Sequence, residues 1–490
     1  MLKFVGIDLG TTTTVVAEMN ENGESKIIPS WIDGQPYTHS AFWFDGQGGR
    51  IPSLVGAEAR RLAGLNAGAF IEYKRFLGTS FKFKLNHQIF SPGFLTRTML
   101  ELCLKNLSSR DELIILTITV PANFANKART ETLDAARKAA GSRVDIRIID
   151  EPTAVALYYA SAFPQLPRGY YLVFDFGGGT LDVSVVNLDG RAVAVKSSIG
   201  EPSLGGADFD KELLNLLQEQ FSAETDYLFS QSASGLDFTK LESLKEELCA
   251  GRDITIKLRR QGGRSREIKL TAAQYLKRIE PLLKKATECA QKSVSEAKLL
   301  REDIKGVLLA GGSSFIPSIQ TALKNMFNRM PLAENPRQVV ALGAAVYSAY
   351  CAGSAPEVSP TVKSALDGMN FKDVSPHCIG ATVVDAKGRK FNQIIIKKGD
   401  PRPFSKTVTH YVMEPGERSV LCDVTQSTIP LTEIPDKRIV TIYDGEMKLG
   451  PGAQVGDPIH VTFSYDTNGL FKGVFYYPRN SRTVEFTAGM

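Results

Sequence analysis

The chain has 490 residues, which is too long for one hydrophobic core, so two or more domains are expected. Its hydrophobic content of 43% and charged content of 23% are ordinary for a globular protein and exclude a disordered chain. The net charge of +5 is not gathered into a basic tract, which argues against nucleic acid or a membrane surface as a partner.

Signals for metal clusters, disulfides and membrane insertion are missing from the sequence. The six cysteines form no Cys-x-x-Cys pair, and the five histidines are not clustered. No stretch approaches the ~20 apolar residues that span a bilayer, and the N-terminus carries no signal-peptide pattern. The expected location is therefore the reducing cytoplasm, and a monomer is the expected state.

Two segments of the sequence resemble each other, residues 4–16 and residues 172–186. Each has a β-branched and aromatic run, an aspartate, a turn with glycine and threonine, and a second β-type run. This pattern predicts a β-hairpin with a carboxylate at the end of its first strand. Because the pattern occurs twice, it predicts an internal duplication with two similar α/β lobes.

Helical patterns lie between and after these hairpins. Ser91 and Pro92 are typical of a helix start, and apolar residues at helical spacing predict that this helix runs to Leu107. A second, longer helix is predicted from Gln274 to Leu300. Residues 307–326 predict a strand, a Gly-Gly turn and a helix.

The character of the sequence changes near residue 351. Ala352 to Asp367 is rich in Ser, Pro, Gly and Ala, which predicts a linker. Beyond Val374, short alternating runs separated by Gly-containing turns are typical of a β-sandwich. The predicted domains are residues 1–351, a linker at 352–372, and an all-β domain at 373–490. No helical pattern follows the last predicted strands before Met490.

The predicted turns suit a nucleotide held between two lobes. Glycine lets the backbone N–H groups approach phosphate oxygens closely, and threonine adds hydroxyl groups. Any one such turn is better explained as a plain tight turn, but two matched hairpins and a third turn favour a binding site. The backbone and hydroxyl donors would come from Gly10, Thr11, Thr12, Thr13, Gly177, Gly178, Gly179, Thr180, Gly311, Gly312 and Ser313. Asp8 and Asp175 would face a hydrated Mg²⁺ ion from opposite lobes.

Over nearly its whole length the sequence resembles the DnaK-type, seventy-kilodalton heat-shock chaperone family. The resemblance implies an α/β fold, an actin-like duplicated two-lobe nucleotidase followed by an all-β sandwich that binds peptide, here without the family's helical lid. The matching stretches are Gly6 to Thr12, Val120 to Phe124, Ile149 to Ala154, Phe174 to Ser184, Leu204 to Asp210, Ala341 to Val346, Asp373 to Gly380 and Val461 to Leu470.

The resemblance also implies cofactors and roles for single residues. It implies ATP or ADP with Mg²⁺, with K⁺ as an optional further ion, and slow ATP hydrolysis. Asp8 and Asp175 would hold Mg²⁺ through water, and Thr11 and Thr180 would contact the β- and γ-phosphates. Lys74 would place the attacking water.

Further roles follow from the same resemblance. Glu151 would be the carboxylate near the metal and the water, while Glu242 and Lys245 would contact the ribose. Pro121 and Arg129, together with Glu151, match the residues that relay nucleotide state to the peptide-binding domain.

The sequence departs from the family at the adenine end of the site. Phe315 stands where the family has an arginine that clamps the base, and Glu246 stands at the second clamp position. Cys249 replaces a serine and Arg337 an aspartate. A phenylalanine still stacks on a purine, but a carboxylate is a poor substitute for a guanidinium, so weaker selection for adenine is expected.

The linker and the predicted peptide-binding domain also depart from the family. The linker offers Met369 and Phe371 as the residues for docking, where the family has a run of leucines. The loop from Asp385 to Lys390 is charged where the family has apolar residues, and residues 76–92 are shortened. Without a lid, peptide would exchange quickly in every nucleotide state.

Three functions are compatible with these features. The leading one is an ATP-driven chaperone that binds unfolded or extended peptide segments, with J-domain-type and nucleotide-exchange co-chaperones as partners. The alternative is a nucleotide-gated scaffold with one dedicated protein partner and weak ATPase activity. A small-molecule kinase on the same fold is the least favoured, because no further acidic residue stands out as its base.

Overall fold

The computed structural model describes residues 2–105, 107, 113–141, 143–353, 355–375, 377–385, 387–466 and 468–487. Pro376, Ala386, Thr467 and Met490, which belong to segments discussed above, lie outside these described residues. No helix in the described ranges is both long enough and apolar enough to cross a membrane.

The first part of the chain builds a mixed sheet with helices on it, together with a three-stranded sheet and a two-stranded sheet. Its elements are β1 (Leu2–Leu9), β2 (Thr13–Met19), β3 (Ser25–Ile28), β4 (Thr38–His39), β5 (Phe42–Trp43), β6 (Leu54–Val55), α1 (Ala57–Leu62), β7 (Ala69–Phe70), a 3-10 helix (Tyr73–Phe76), β8 (Phe83–Leu85), β9 (Gln88–Phe90), α2 (Pro92–Leu104), β10 (Leu113–Val120), α3 (Asn126–Ala139), β11 (Val144–Asp150) and α4 (Glu151–Ala162).

The second part repeats the plan. Its elements are β12 (Gly169–Phe176), β13 (Leu181–Asp189), β14 (Ala192–Glu201), α5 (Gly206–Thr225), α6 (Gln231–Ser234), α7 (Phe238–Cys249), β15 (Ile254–Arg259), β16 (Ser265–Leu270), α8 (Ala272–Glu296), a 3-10 helix (Arg301–Asp303), β17 (Ile304–Ala310), a 3-10 helix (Gly312–Phe315), α9 (Pro317–Phe327), α10 (Val339–Ala352) and α11 (Pro360–Leu366).

The remaining elements are strands and one 3-10 turn. They are β18 (Asn370–Val374), β19 (Cys378–Val384), β20 (Lys390–Ile396), β21 (Pro401–Arg402), β22 (Phe404–Tyr411), β23 (Ser419–Ser427), β24 (Val440–Lys448), β25 (Pro458–Tyr465), β26 (Phe471–Tyr477), a 3-10 helix (Pro478–Asn480) and β27 (Arg482–Thr487). We call the described residues from 377 to 487 the β region.

Each predicted hairpin is present at the heart of a sheet. The first sheet has the order β11-β10-β1-β2-β3, and the second has the order β17-β12-β13-β14-β18-β21. In each, the two hairpin strands are antiparallel and the first of them also pairs in parallel with a further strand. We call the first sheet with α1–α3 the first lobe and the second sheet with α5–α9 the second lobe.

Helices α4 and α10 pack between the two sheets and join the lobes. Residues of both helices share one apolar cluster with the second sheet, and α10 also lies directly on β1. A Cβ atom on Gly6 would lie 2.3 Å from the backbone nitrogen of Ala345, so only glycine allows this close approach of helix and strand. The floor of the cleft between the lobes is therefore held rigidly from below.

The predicted helices are present with different ends. Ser91 caps α2, accepting a hydrogen bond from the backbone N–H of Phe94, but the helix ends at Leu104 and not at Leu107. The long helix α8 begins at Ala272, because Thr271 and Gln274 form a reciprocal cap, and it ends at Glu296. Lys298 adopts the left-handed conformation, with φ of 59°, which ends the helical run before Leu300.

The segment predicted as a linker contains regular structure. Helix α11 lies within it, and Val358, Val362 and Leu366 at four-residue spacing pack against Phe4 and Met19 of the first sheet. Strand β18 then extends the second sheet by pairing in parallel with β14. The Ser- and Pro-rich composition concealed this short apolar stripe.

The β region contains two four-stranded antiparallel sheets. Their orders are β20-β19-β23-β24 and β22-β25-β26-β27, and β26 and β27 form an antiparallel hairpin. Side chains from both sheets, including Ile379, Val424, Phe463 and Phe475, form one apolar cluster. The alternating pattern of buried and less buried residues along β25 and β26 follows from this one-sided packing.

Candidate functional site

A cleft of about 580 Å³ opens between the two lobes above α4 and α10. All the residues that the sequence assigned to a nucleotide site line it. They are Asp8, Gly10, Thr11, Thr12, Thr13, Lys74, Glu151, Asp175, Gly177, Gly178, Gly179, Thr180, Glu242, Lys245, Gly311, Gly312, Ser313 and Phe315. The two hairpins and the β17–α9 turn therefore converge on one place.

The two hairpin turns meet across the cleft. A Cβ atom on Gly178 would lie 2.4 Å from Thr12 Oγ1, and one on Gly179 would lie 2.5 Å from Thr11 Oγ1. Glycine is required at both positions because no side chain fits between the turns. This contact leaves backbone amides and threonine hydroxyls of both lobes close together, which is an arrangement that binds the oxygens of a phosphate chain.

Carboxylates form the floor of the cleft. Asp8 is the last residue but one of β1, Asp175 is the last but one of β12, and Glu151 is the first residue of α4. Lys74, from the 3-10 helix at residues 73–76, places its Nζ 2.6 Å from Glu151 Oε1, and both side chains are buried. Thr119 donates a hydrogen bond to Asp8 at 3.2 Å. Lys74 is thus held in place at the floor and is not a surface lysine.

The sequence reasoning missed one member of this floor, Asp182. It lies opposite Asp175 in the β12–β13 ladder and is almost completely buried. Leu181 and Val183 beside it are also buried, so its strand is covered on both faces. The signal that could have revealed it is a lone carboxylate inside an otherwise apolar run, because such a group is seldom buried without a function.

The floor holds more carboxyl groups than cationic groups. Burial and the charge of Glu151 raise the pKa of Asp8 to about 7, against the opposing effect of Lys74. Burial and Glu151 likewise raise the pKa of Asp182 to about 8 and the pKa of Asp175 well above its usual range. Although burial acts against it, Glu151 and Asp8 raise the pKa of Lys74. The cluster is therefore short of a cation.

A hydrated Mg²⁺ ion fits this deficit. Asp8 and Asp175 offer hard oxygen donors from opposite lobes, beside the two turns. In the described ranges no group of three or more His, Cys, Asp or Glu side chains is close enough to form a complete protein cage for a metal. Mg²⁺ suits such a place because it keeps several waters and needs few protein ligands.

The upper wall of the cleft is held by ion pairs. Arg60 of α1 bonds Glu242 of α7 at 2.9 Å, so this pair closes the cleft from lobe to lobe. Burial acts to raise the pKa of Glu242, but Arg60 and Lys245 lower it below its usual value. Lys245 itself is 2.9 Å from Asp210. The two residues predicted to contact a ribose are therefore already fixed by partners.

A second contact between the lobes supports the phosphate turn. Arg75 of the first lobe donates to the carbonyl oxygen of Gly179 at 2.8 Å and pairs with Asp208 at 2.5 Å. The carbonyl of Gly179 belongs to the same planar peptide group as the N–H of Thr180. Arg75 therefore fixes the direction of that N–H, a role that the sequence reasoning did not identify.

The far end of the cleft differs chemically from the floor. Phe315 is half-exposed there, and Arg337 lies with its guanidinium carbon 5.9 Å from the centre of the Phe315 ring. Arg337 also pairs with Glu246 at 3.2 Å. Burial raises the pKa of Cys249 to about 11, so it remains a thiol at neutral pH. An aromatic face and a guanidinium thus border the space opposite the phosphate turns.

The residues expected to relay a signal are connected through Asp150. Arg129 of α3 donates to the backbone oxygen of Ala122, next to Pro121, at 3.1 Å and pairs with Asp150 at 2.6 Å. Asp150 directly precedes Glu151 in the chain. The link between Arg129 and the floor is therefore a carboxylate that the sequence reasoning did not single out.

Comparison with known protein families found a match over most of the chain. The family model described as Hsp70 protein matches residues 4–94 and 103–475. The match includes both lobes, the cleft and most of the β region.

Affinity for Mg²⁺ is expected to rise with pH between about 6 and 8. The cation binds ionised carboxylates, but with pKa values of about 7 and 8 Asp8 and Asp182 are largely protonated at pH 6. Binding must then release protons, and each linked proton weakens affinity up to about tenfold per pH unit below the pKa. Isothermal titration with Mg²⁺ from pH 6 to 8 measures this. An affinity that is constant or falls with rising pH contradicts the electrostatic description of the floor.

Proposed function

This chain belongs to the Hsp70 family, whose members are chaperones with actin-like ATPase lobes. We propose that it binds and hydrolyses ATP in the cleft. We further propose that the bound nucleotide, ATP or ADP, controls the binding of extended peptide segments. The observation that carries the proposal is the convergence of two matched Gly/Thr turns above a buried carboxylate floor with one buried lysine. Such a site suits a triphosphate with its metal ion.

In this proposal the nucleotide lies with its phosphates at the two hairpin turns. Backbone amides of residues 10–13 and 177–180 bind phosphate oxygens, and Asp8 and Asp175 hold Mg²⁺ through its water shell. The metal ion neutralises phosphate charge during hydrolysis. The surplus of carboxyl groups at the floor supports this arrangement, because a cation that accompanies the nucleotide would stabilise their ionised forms. K⁺ is a further ion that the same carboxylates could accept.

Hydrolysis needs a water molecule aligned with the terminal phosphate. We assign this task to Lys74, which the 2.6 Å contact with Glu151 holds in a fixed, charged state. The pair is buried, so its charges act with little screening by solvent. Its role is then to orient water and to stabilise charge on the transferring phosphoryl group, which is how most phosphoryl-transfer enzymes act.

Selection for adenine is proposed to be weak. The base would reach the end of the cleft at Phe315, where the ring supplies one stacking surface. Arg337 already contacts Phe315 and Glu246, so it is not free to cover the other face of the base. Each cation–π contact of a base clamp contributes about 0.5–2 kcal/mol, and a site lacking two of them discriminates less between bases.

We further propose that the β region is a β-sandwich that binds peptide. Its two four-stranded sheets share one apolar core, and several apolar side chains remain exposed on its strands and turns. They include Val384, Met413, Leu421 and Val440, each about half-exposed or more. Family members generally bind unfolded peptides and co-chaperones, and J-domain-type and nucleotide-exchange co-chaperones are the proposed partners here.

Lys74→Met is expected to lower ATP turnover by about a hundredfold or more while ADP binding changes much less. The reason is that Lys74 acts mainly on the transition state, where charge-stabilising groups have effects of this size. Steady-state turnover at saturating ATP measures the effect. Lys82→Met is the matched control, because Lys82 lies on the same segment but is exposed. Undiminished turnover in Lys74→Met would show that another group aligns the water.

Peptide affinity is expected to differ between the ATP-bound and ADP-bound protein by about 5- to 150-fold, the usual range for coupled sites. Fluorescence anisotropy of a labelled, extended apolar peptide, titrated with protein in each nucleotide, gives the two affinities. A charged peptide of equal length is the control for non-specific binding. Equal affinities with ATP, with ADP and without nucleotide would refute the coupling, although ATP hydrolysis could still stand.

A further inference from the structure

Arg402 lies where the β region meets the two lobes. It belongs to the short strand β21, and its side chain is 5% exposed. Its Nη2 is 2.5 Å from the Oδ2 atom of Asp150 at the end of β11, and it also donates to the carboxylate of Asp373 in β18. One guanidinium therefore joins the β region both to the first lobe and to the strand that precedes the β region.

The groups around Arg402 form a closed ionic cluster. Arg129 holds the second oxygen of Asp150 at 2.6 Å, so two arginines alternate with two aspartates. All four side chains are nearly or fully buried. The cluster is neutral as a whole, but removing any one member leaves a buried charge without its partner.

The neighbouring backbone makes room for this arrangement. Gly469 lies in the turn after β25, and a Cβ atom there would be 2.3 Å from Arg402 Nη1. The same turn contacts the first lobe, because Asn468 accepts a hydrogen bond from the backbone N–H of Ile148 at 3.3 Å. The guanidinium is therefore enclosed by the β region, the first lobe and β18 at once.

We propose that Arg402 is an ionic latch that fastens the β region to the lobes. Asp150 directly precedes Glu151, the carboxylate that holds Lys74. The latch therefore attaches the β region to the residue that directly precedes α4, next to the floor of the cleft. The effect of this latch on activity rests on the proposed function. The attachment of the β region to the lobes by Arg402 does not depend on it.

A second ion pair, between the β region and the second lobe, is a natural control. Lys398 of the β region contacts Glu296 at the end of α8 at 2.6 Å, with side chains 20% and 39% exposed. Exposed pairs contribute little because water and salt screen them, whereas breaking a buried pair is strongly unfavourable. Both ion-pair sites join the β region to a lobe, but only the Arg402 cluster is shielded from water.

Hydrogen exchange of the full chain, without nucleotide or peptide, tests the latch. The reporters are the amides of β18, residues 370–374, which pair with β14 and β21. Arg402→Met is expected to reduce their protection by about a hundredfold or more, and Lys398→Met by less than about fivefold. Arg402→Lys, which keeps the charge, is expected to retain more protection than Arg402→Met. Amides of Val173 and Phe174 in the core of β12 report whether each variant is folded.

Three results would overturn the proposal. They are equal effects of Arg402→Met and Lys398→Met, equal effects of Arg402→Met and Arg402→Lys, and unprotected β18 amides in the unaltered chain. If Arg402→Met lowers the protection of β12 amides as well as β18 amides, the variant is not properly folded. The comparison of Arg402→Lys with the unaltered chain then tests the latch, because lysine keeps the charge in nearly the same volume. Because hydrogen exchange is measured without nucleotide, it tests the latch alone. The proposed ATPase activity is tested separately by ATP turnover.

Discussion

The crowding of four buried carboxyl groups around one lysine at the floor of the cleft is the constraint on which the rest of the structure depends. Asp8, Asp175, Asp182 and Glu151 share the single charge of Lys74 in a space that burial makes intolerant of unpaired charge. Each carboxylate is fixed by a strand or a helix start, so none can turn away. The matched turns above them offer amide donors, and together these features favour an anionic ligand that arrives with its own divalent cation.

A series of buried ion pairs connects the floor of the cleft to the β region. Lys74 holds Glu151, Asp150 precedes it in the chain, and Asp150 is shared by Arg129 and Arg402. Ion pairs in a dry interior have narrow geometric tolerance, so a shift of α4 would disturb every member of this series. We regard this continuity as the physical basis on which nucleotide state could alter the position of the β region, with β18 as the covalent connection.

Local patterns in the sequence were sufficient to predict the hairpins, because strand alternation and Gly/Thr turns are encoded over a dozen residues. The convergence of the predicted site residues followed from the internal duplication. Features that depend on distant partners could not be predicted in this way. Arg75 and Arg402 look like ordinary surface arginines until the fold brings Gly179 and Asp150 to them. The sequence signals of Asp182 and helix α11 were too short to recognise. Asp182 is a single charged residue in an apolar run, and α11 lies in a segment whose composition is typical of a linker.

Diffraction from crystals grown with Mn²⁺ and ADP tests the central claim most directly, because the anomalous signal of Mn²⁺ locates the cation independently of any activity. The account predicts one strong anomalous peak between the carboxylates of Asp8 and Asp175, separated from them by water, with the diphosphate at residues 10–13 and 177–180. A cleft without a manganese peak at saturating Mn²⁺ and ADP, or nucleotide bound away from the two turns, would contradict it.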